Sequence, residues 1–177
     1  MALEFTHTCI DLETLSTQSD AVIVTIAAVK FRFDTDETEK FCVNVNPREG
    51  KELGLHISKD TLDWWRLQNP EAVKAWQHSQ IGLSDALDQF LEFVPSSKTM
   101  KFYCQGTNFD FPVMESSFRV TGKREPWKFY NLVDIRTICW LASFDYKNAP
   151  RVGEYHNALD DCMTQISWIK QIIKGQN

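Results

Sequence analysis

No stretch of this sequence is long and apolar enough to cross a membrane. The longest apolar run, Ala21 to Val29, is nine residues and is interrupted by Thr25, against about 20 residues for a spanning helix. Met1 to Phe5 lacks the basic start and long apolar segment of a secretory signal. There is no Cys-x-x-Cys pair, which removes the common zinc and dithiol motifs. The five cysteines, Cys9, Cys42, Cys104, Cys139 and Cys162, are an odd number set mostly among apolar neighbours, and read as reduced, buried residues of a cytoplasmic protein. Positive charge is not in excess either: 19 Lys and Arg against 24 Asp and Glu leave a net charge of −5. That excludes a protein coating long stretches of nucleic acid through many phosphate contacts, and leaves room for a small site that grips a chain end through metal ions. Repeats, low-complexity segments and linkers are also missing, so residues 1–177 are expected to form a single domain around one core.

What is present is an alternation of strand-like and helix-like segments. Phe5 to Leu15, Ala21 to Asp34 and Glu39 to Asn46 read as three strands joined by short polar turns, most simply an antiparallel meander. Pro47 and Gly50 break the pattern. Ser58 is placed to cap a helix, with Asp60 in its first turn. Pro70 opens a second helix, and Leu87, Phe90, Leu91 and Val94 give a third its apolar stripe. A strand over Lys98 to Gln105 leads to a helix starting near Pro112, and a short strand, Phe129 to Leu132, precedes Asp134 as the cap of the helix Ile135 to Phe144. After a loop from Asp145 to Tyr155, the last helix runs from about Asn157 to Lys174. This order predicts an α/β fold with a mixed sheet flanked by helices.

Within that frame the acids stand out by position. Asp11 and Glu13 lie two apart on an apolar strand and so point to one face. Two adjacent anions that lose water repel each other unless a cation compensates; a solvated strand end with two surface acids is the plainer alternative. Asp110 sits among Phe109, Phe111 and Pro112 at a strand-to-helix junction, where helix capping competes with a chemical role. His156 and Asp161 open the last helix. Asp160 and Asp161 lie on opposite sides of its apolar stripe, so the helical wheel does not choose between them.

Asp-x-Glu on the first strand, an Asp after the fourth, and His-x-Ala-x-x-Asp on the last helix together resemble the DEDDh branch of the DnaQ-like 3′-5′ exonucleases, whose fold is RNase H-like. The likeness extends to Ser58-x-x-Thr61 before Trp64-Trp65, to Gln68 and Pro70-Glu71-Ala72, to Phe109-Asp110-Phe111-Pro112 and to Asp134-Ile135-Arg136-Thr137. These motifs look closest to the small phage and prophage group that includes the DexA exonuclease of T-even phages. The stretch between the Asp134 helix and His156 departs from many relatives in leaving no room for an extra helix.

The resemblance implies a five-stranded RNase H-like sheet whose first three strands are antiparallel. It implies metal-binding acids at Asp11, Glu13, Asp110 and Asp161, with the family spacing selecting Asp161 over Asp160, and His156 as general base. Two Mg²⁺ ions are the implied cofactors, with Mn²⁺ able to substitute, because oxygen-only ligands suit both. Asp11 is the expected bridging ligand, Glu13 and Asp161 the completion of one ion, and Asp110 the ligand of the second. The expected reaction is hydrolysis of single-stranded nucleic acid from its 3′ end to nucleoside 5′-monophosphates, with DNA preferred, RNA as the alternative substrate and a non-catalytic oligonucleotide-binding module as the rival class. The implied substrate contacts are Thr14 at the terminal sugar, Leu15 and Phe109 against bases, Arg136 at a phosphate or a carboxylate, and Trp65. No membrane partner is expected, a homodimer is allowed, and the location is the cytoplasm, that of the host if the protein is phage-encoded.

Overall fold

The computed structural model describes residues 5–94 and 96–175. A five-stranded sheet runs through its centre. Strands β1 (His7–Thr14), β2 (Ile23–Phe31) and β3 (Thr38–Asn44) form the expected antiparallel meander, and β4 (Lys101–Cys104) and β5 (Leu132–Asp134) add in parallel on the other side of β1, giving the order β3-β2-β1-β4-β5. Among the described residues five helices and one 3₁₀ turn lie between the strands, α1 (Pro47–Glu52), α2 (Lys59–Trp65), α3 (Pro70–Gln77), α4 (Leu83–Phe93), α5 (Asp110–Val120) and the turn Phe129–Asn131, and a sixth helix, α6 (Ile135–Leu141), follows β5. A seventh, α7 (Ala158–Gly175), closes the chain's described part.

The middle position of β1 explains its composition. Covered on both faces, it buries alternate residues into two different cores: Ile10 and Leu12 enter one with Ile26, Phe90, Phe102, Phe118 and Trp127, while Cys9 enters the other with Ala27, Val29, Phe31, Cys162, Ile166 and Ile169 of α7. A strand buried on both sides reads as a nearly continuous apolar run. Since Asp11 and Glu13 share the parity of Cys9, they are aimed at the α7 side. The Cys162 thiol lies 3.7 Å from the Cys9 carbonyl, which fixes the height of α7 against the strand.

Local chemistry accounts for the differences from expectation. Pro47 starts α1 rather than merely breaking a strand, because Asn46 accepts from the Arg48 N–H and a proline is tolerated in a first turn. The short strand expected at Phe129 begins three residues later, at Leu132, since Phe129–Asn131 coils into the 3₁₀ turn. Cys42 is exposed instead of buried: β3 is an edge strand, and the residue faces solvent there. The other four cysteines are buried and free. Asp134 caps α6 as its sequence context required, accepting from the Arg136 and Thr137 N–H groups. No helix among the described residues is long and apolar enough to cross a membrane.

Phe90 is fully buried and its ring meets Phe41, Phe118 and Trp127. Phe90→Ala removes a ring that several elements share and is expected to cost about 3–5 kcal/mol, read as a lower denaturant midpoint; a loss below about 1 kcal/mol would show that this core repacks freely.

Candidate active site

The C-terminal end of β1, the start of α5 and the start of α7 converge on one open cleft of about 580 Å³, into which Asp11, Glu13, Asp110, His156 and Asp161 all face. Ligand oxygens of Asp11, Glu13 and Asp161 lie within 4.8 Å of one another. Asp110, the first residue of α5, is 6% exposed and hydrogen-bonds the Leu12 backbone and the Cys104 thiol. Asp161 turns toward the cleft, while the Asp160 carboxylate accepts from the Glu154 N–H at 2.9 Å and ties down the preceding loop. The neighbouring backbone must be glycine: Gly153 has φ +63°, and a Cβ there would sit 2.1 Å from an Asp160 oxygen.

Burial raises the pKa of all four acids, and neighbouring carboxylates raise Asp11 and Glu13 further. Burial is the leading cause for each, because a carboxylate loses water there. Burial and the charges of Asp110, Asp161 and Glu13 hold the Asp11 carboxyl well above the usual range, with the Gln165 hydrogen bond opposing. Glu13 is pushed up to about 8 by burial, then by Asp161 and Asp110. Asp110 rises to about 7 through burial, offset by bonds from Cys104 and Leu12 and by the Arg136 charge. Asp161 rises less freely, since Arg151 pairs with it. The donor set is all oxygen, clustered, and short of positive charge, which fits hard divalent cations: the cluster can hold a metal.

The two cleft walls differ. Arg136, exposed at the head of α6, leans over Gly106 and faces Asp110. Phe109 is half-buried and stands between the acid cleft and a second cavity of about 450 Å³ lined by Thr14, Ser58, Thr61 and Trp64. The Thr14 hydroxyl donates to the Ser16 carbonyl at 2.7 Å, and its own carbonyl accepts from Trp65 Nε1 at 2.9 Å.

Two of the expected substrate contacts are largely buried. Leu15 is 3% exposed and its backbone pairs with Val22 and Ser58, so its side chain belongs to the core. Trp65 is also 3% exposed and bonded to Thr14, with part of its ring lining the second cavity; its neighbour Trp64, 41% exposed, is the tryptophan that faces outward. The reason is helical: adjacent residues point about 100° apart, and the face of α2 turned to β1 takes one of them.

Sequence reasoning missed Gln165 and Arg151 as parts of this site. Gln165 donates to Asp11 at 2.8 Å and accepts from the Cys9 thiol at 3.4 Å. Its spacing of four from Asp161 on one helix was a usable signal. Arg151 lies in an irregular loop, where no periodicity marks it.

A family model described as the "3'-5' exoribonuclease Rv2179c-like domain" matches residues 6–173. The chain belongs to this Rv2179c-like family. It is thus a 3′-5′ exonuclease of the DEDDh type, a hydrolase with an RNase H-like fold. An exodeoxyribonuclease of Enterobacteria phage T4 is 26% identical over 157 residues, covering 72% of this chain and 68% of the relative. Among solved structures, cell-death related nuclease 4 (CRN-4) aligns with a TM-score of 0.64 and 15% identity, over 97% of this chain but only 64% of its own. The nuclease domain of 3'hExo, a DEDDh family member bound to rAMP, aligns with 0.63 and 12% identity over 97% and 93%. S. pombe Pop2p in its Mg²⁺- and Mn²⁺-bound form aligns with 0.61 and 13% identity, over 95% and 82%. At these identities the structural likeness is one of fold.

The raised carboxylates predict how the metal-free protein responds to pH. Glu13 stays protonated in the fold to about pH 8 but ionises near 4.5, its ordinary value, when unfolded. Between those values the native state holds more protons than the unfolded one, so this group's contribution to stability falls as pH rises. In chelator, denaturation midpoints are expected to drop from pH 5 to pH 8, and Glu13→Gln to flatten part of that slope; a Glu13→Gln slope identical to wild type would contradict this electrostatic account.

Proposed function

We propose that residues 1–177 act as one catalytic domain, a metal-dependent exonuclease that trims single-stranded DNA from its 3′ end and releases nucleoside 5′-monophosphates. One observation carries the reading: three carboxylates from β1 and α7 meet within 4.8 Å on the floor of an open cleft, with a fourth acid and a histidine beside them. A binding module for a polyanion gains nothing from clustered acids, whose charge repels phosphate.

Mg²⁺ is the expected ion and Mn²⁺ an acceptable substitute. Asp11 would be shared by two ions, Glu13 and Asp161 would complete the ligands of one, and Asp110 would hold the other. When bound, the ions supply positive charge opposite the non-bridging oxygens and the leaving 3′-oxygen of the phosphodiester. His156 serves as general base. Its pKa is lowered, chiefly by burial, with Asp161 opposing, so a ring nitrogen is free near neutral pH to take a proton from the attacking water. Arg136 adds a positive charge at the rim for a phosphate. Phe109 offers a ring to a base, a contact worth about 1–3 kcal/mol and tolerant of sequence. Thr14 borders the cavity that would take the terminal nucleotide.

The choice of DNA rests on the T4 relative, named an exodeoxyribonuclease. RNA is the second reading, favoured by the family's description and by the rAMP held in the 3'hExo domain. Digestion of 5′-labelled single-stranded DNA, RNA and blunt duplex with Mg²⁺ or Mn²⁺ separates them: a ladder shortening from the 3′ end, faster on DNA and abolished in Asp11→Ala, is expected. Faster RNA trimming would select the second reading, and cleavage persisting in Asp11→Ala would refute the site. His156→Ala is expected to lower kcat about 10²- to 10⁴-fold with little change in KM; an unchanged kcat at saturating metal would remove His156 from the reaction.

A further inference from the structure

A general base is ordinarily aimed by a third group that hydrogen-bonds its far side. His156 has no such bond to a side chain among the described residues. Its backbone is in the left-handed region, φ +60°, on the loop that ends at α7, a conformation that costs a non-glycine residue on the order of 1 kcal/mol. Asp161, whose charge acts on the imidazole, is engaged by Arg151. What does meet the imidazole is aromatic. The Trp64 ring stands 4.9 Å away at 85°, edge to face, while Trp65 lies at 6.2 Å and Tyr155 at 6.4 Å.

Trp64 is itself fixed. It packs edge to face on Trp65 at 5.0 Å, and Trp65 is buried and bonded to the Thr14 carbonyl. Thr14 follows Glu13 directly on β1. A continuous path of rigid contacts therefore runs from the strand that carries Asp11 and Glu13, through two indoles, to the imidazole. It crosses from α2, an element that supplies none of the acids, to a loop about 90 residues further along the chain.

We propose that Trp64 is the positioning residue of His156: its ring holds the imidazole at a fixed place relative to the β1 carboxylates, in the role a hydrogen-bonded partner plays elsewhere. The proposal rests on the reading of His156 as general base. It also fits the 41% exposure of this large indole, one flank of which lines the second cavity while the other braces the loop. Edge-to-face geometry restricts ring rotation without placing a charge or a competing acceptor beside the base.

The test is a double-mutant cycle on kcat and KM for single-stranded oligonucleotide at saturating metal, with Trp64→Leu, Trp64→Phe and His156→Ala. Trp64→Leu keeps apolar cover without an aromatic edge. It is expected to lower kcat about 10- to 100-fold, the scale of a misplaced catalytic group, with KM nearly unchanged, while Trp64→Phe recovers most of the rate. In the His156→Ala background Trp64→Leu is expected to add no further loss, since the group it positions is gone. In the metal-free protein, the His156 ring proton resonances are expected to lose their ring-current shift in Trp64→Leu. A loss borne by KM and equal in both backgrounds would make Trp64 a substrate platform and overturn the proposal. If His156→Ala is impaired but Trp64→Leu retains wild-type kcat, the proposal alone fails; if His156→Ala is itself fully active, the base assignment fails and takes the proposal with it.

Discussion

The crowding of four carboxylates into one cleft that strips them of water is the constraint on which the rest of this structure depends. Burial raises the pKa of Asp11, Glu13, Asp110 and Asp161, and the charges of Asp110 and Asp161 raise Asp11 and Glu13 further. A fold that places acids this way loses stability in its metal-free form near neutral pH. It regains stability from whatever cation it binds, because a ligand specific for the native state shifts folding by mass action. The protein's own groups offset only part of the deficit. Gln165 donates to Asp11, Arg151 pairs with Asp161, and Cys104 with the Leu12 backbone serves Asp110. Glu13 has the weakest internal relief, only the charge of Arg151, and carries a pKa of about 8.

The architecture makes that concentration possible. A central strand covered on both faces brings one side of its pleat beneath α7 and the other beneath the core around Phe90. The apolar contacts of Cys9 with α7 and of Ile10 and Leu12 with the opposite core hold β1 rigidly, so that Asp11 and Glu13 cannot turn away from one another. Helix α5 adds Asp110 from the end of the neighbouring parallel strand, and α7 adds Asp161 from its first turn. The four acids come from three constraints: a pleat supplies Asp11 and Glu13, a strand-to-helix junction Asp110, and a helix start Asp161.

Much of this was legible in the sequence because it depends on short-range pattern. The period of two in Asp11-Leu12-Glu13, the caps at Ser58 and Asp134, and the stripe of the last helix each specify local geometry, and the order of the acids and histidine along the chain carried the family likeness. The choice of Asp161 over Asp160 needed that likeness, since the wheel leaves both at the edge of the stripe. What stayed hidden was set by tertiary packing. Whether Trp64 or Trp65 faces out depends on where α2 docks against Thr14; the exposure of Cys42 follows from β3 lying at the sheet's edge; the Arg151 contact is made by a loop with no period to read. Leu15 entered only through the family likeness, and the chain turns inward there to pair with Val22 and Ser58.

The central claim is that these acids form a site for two divalent ions, with Asp11 shared between them. Calorimetric titration of the chelator-stripped protein with Mn²⁺, in wild type and in Asp11→Asn, tests it without reference to substrate. The account predicts two ions bound per chain in wild type and both lost or severely weakened in Asp11→Asn. Absence of Mn²⁺ binding in wild type, or binding of equal affinity and stoichiometry in Asp11→Asn, would contradict it.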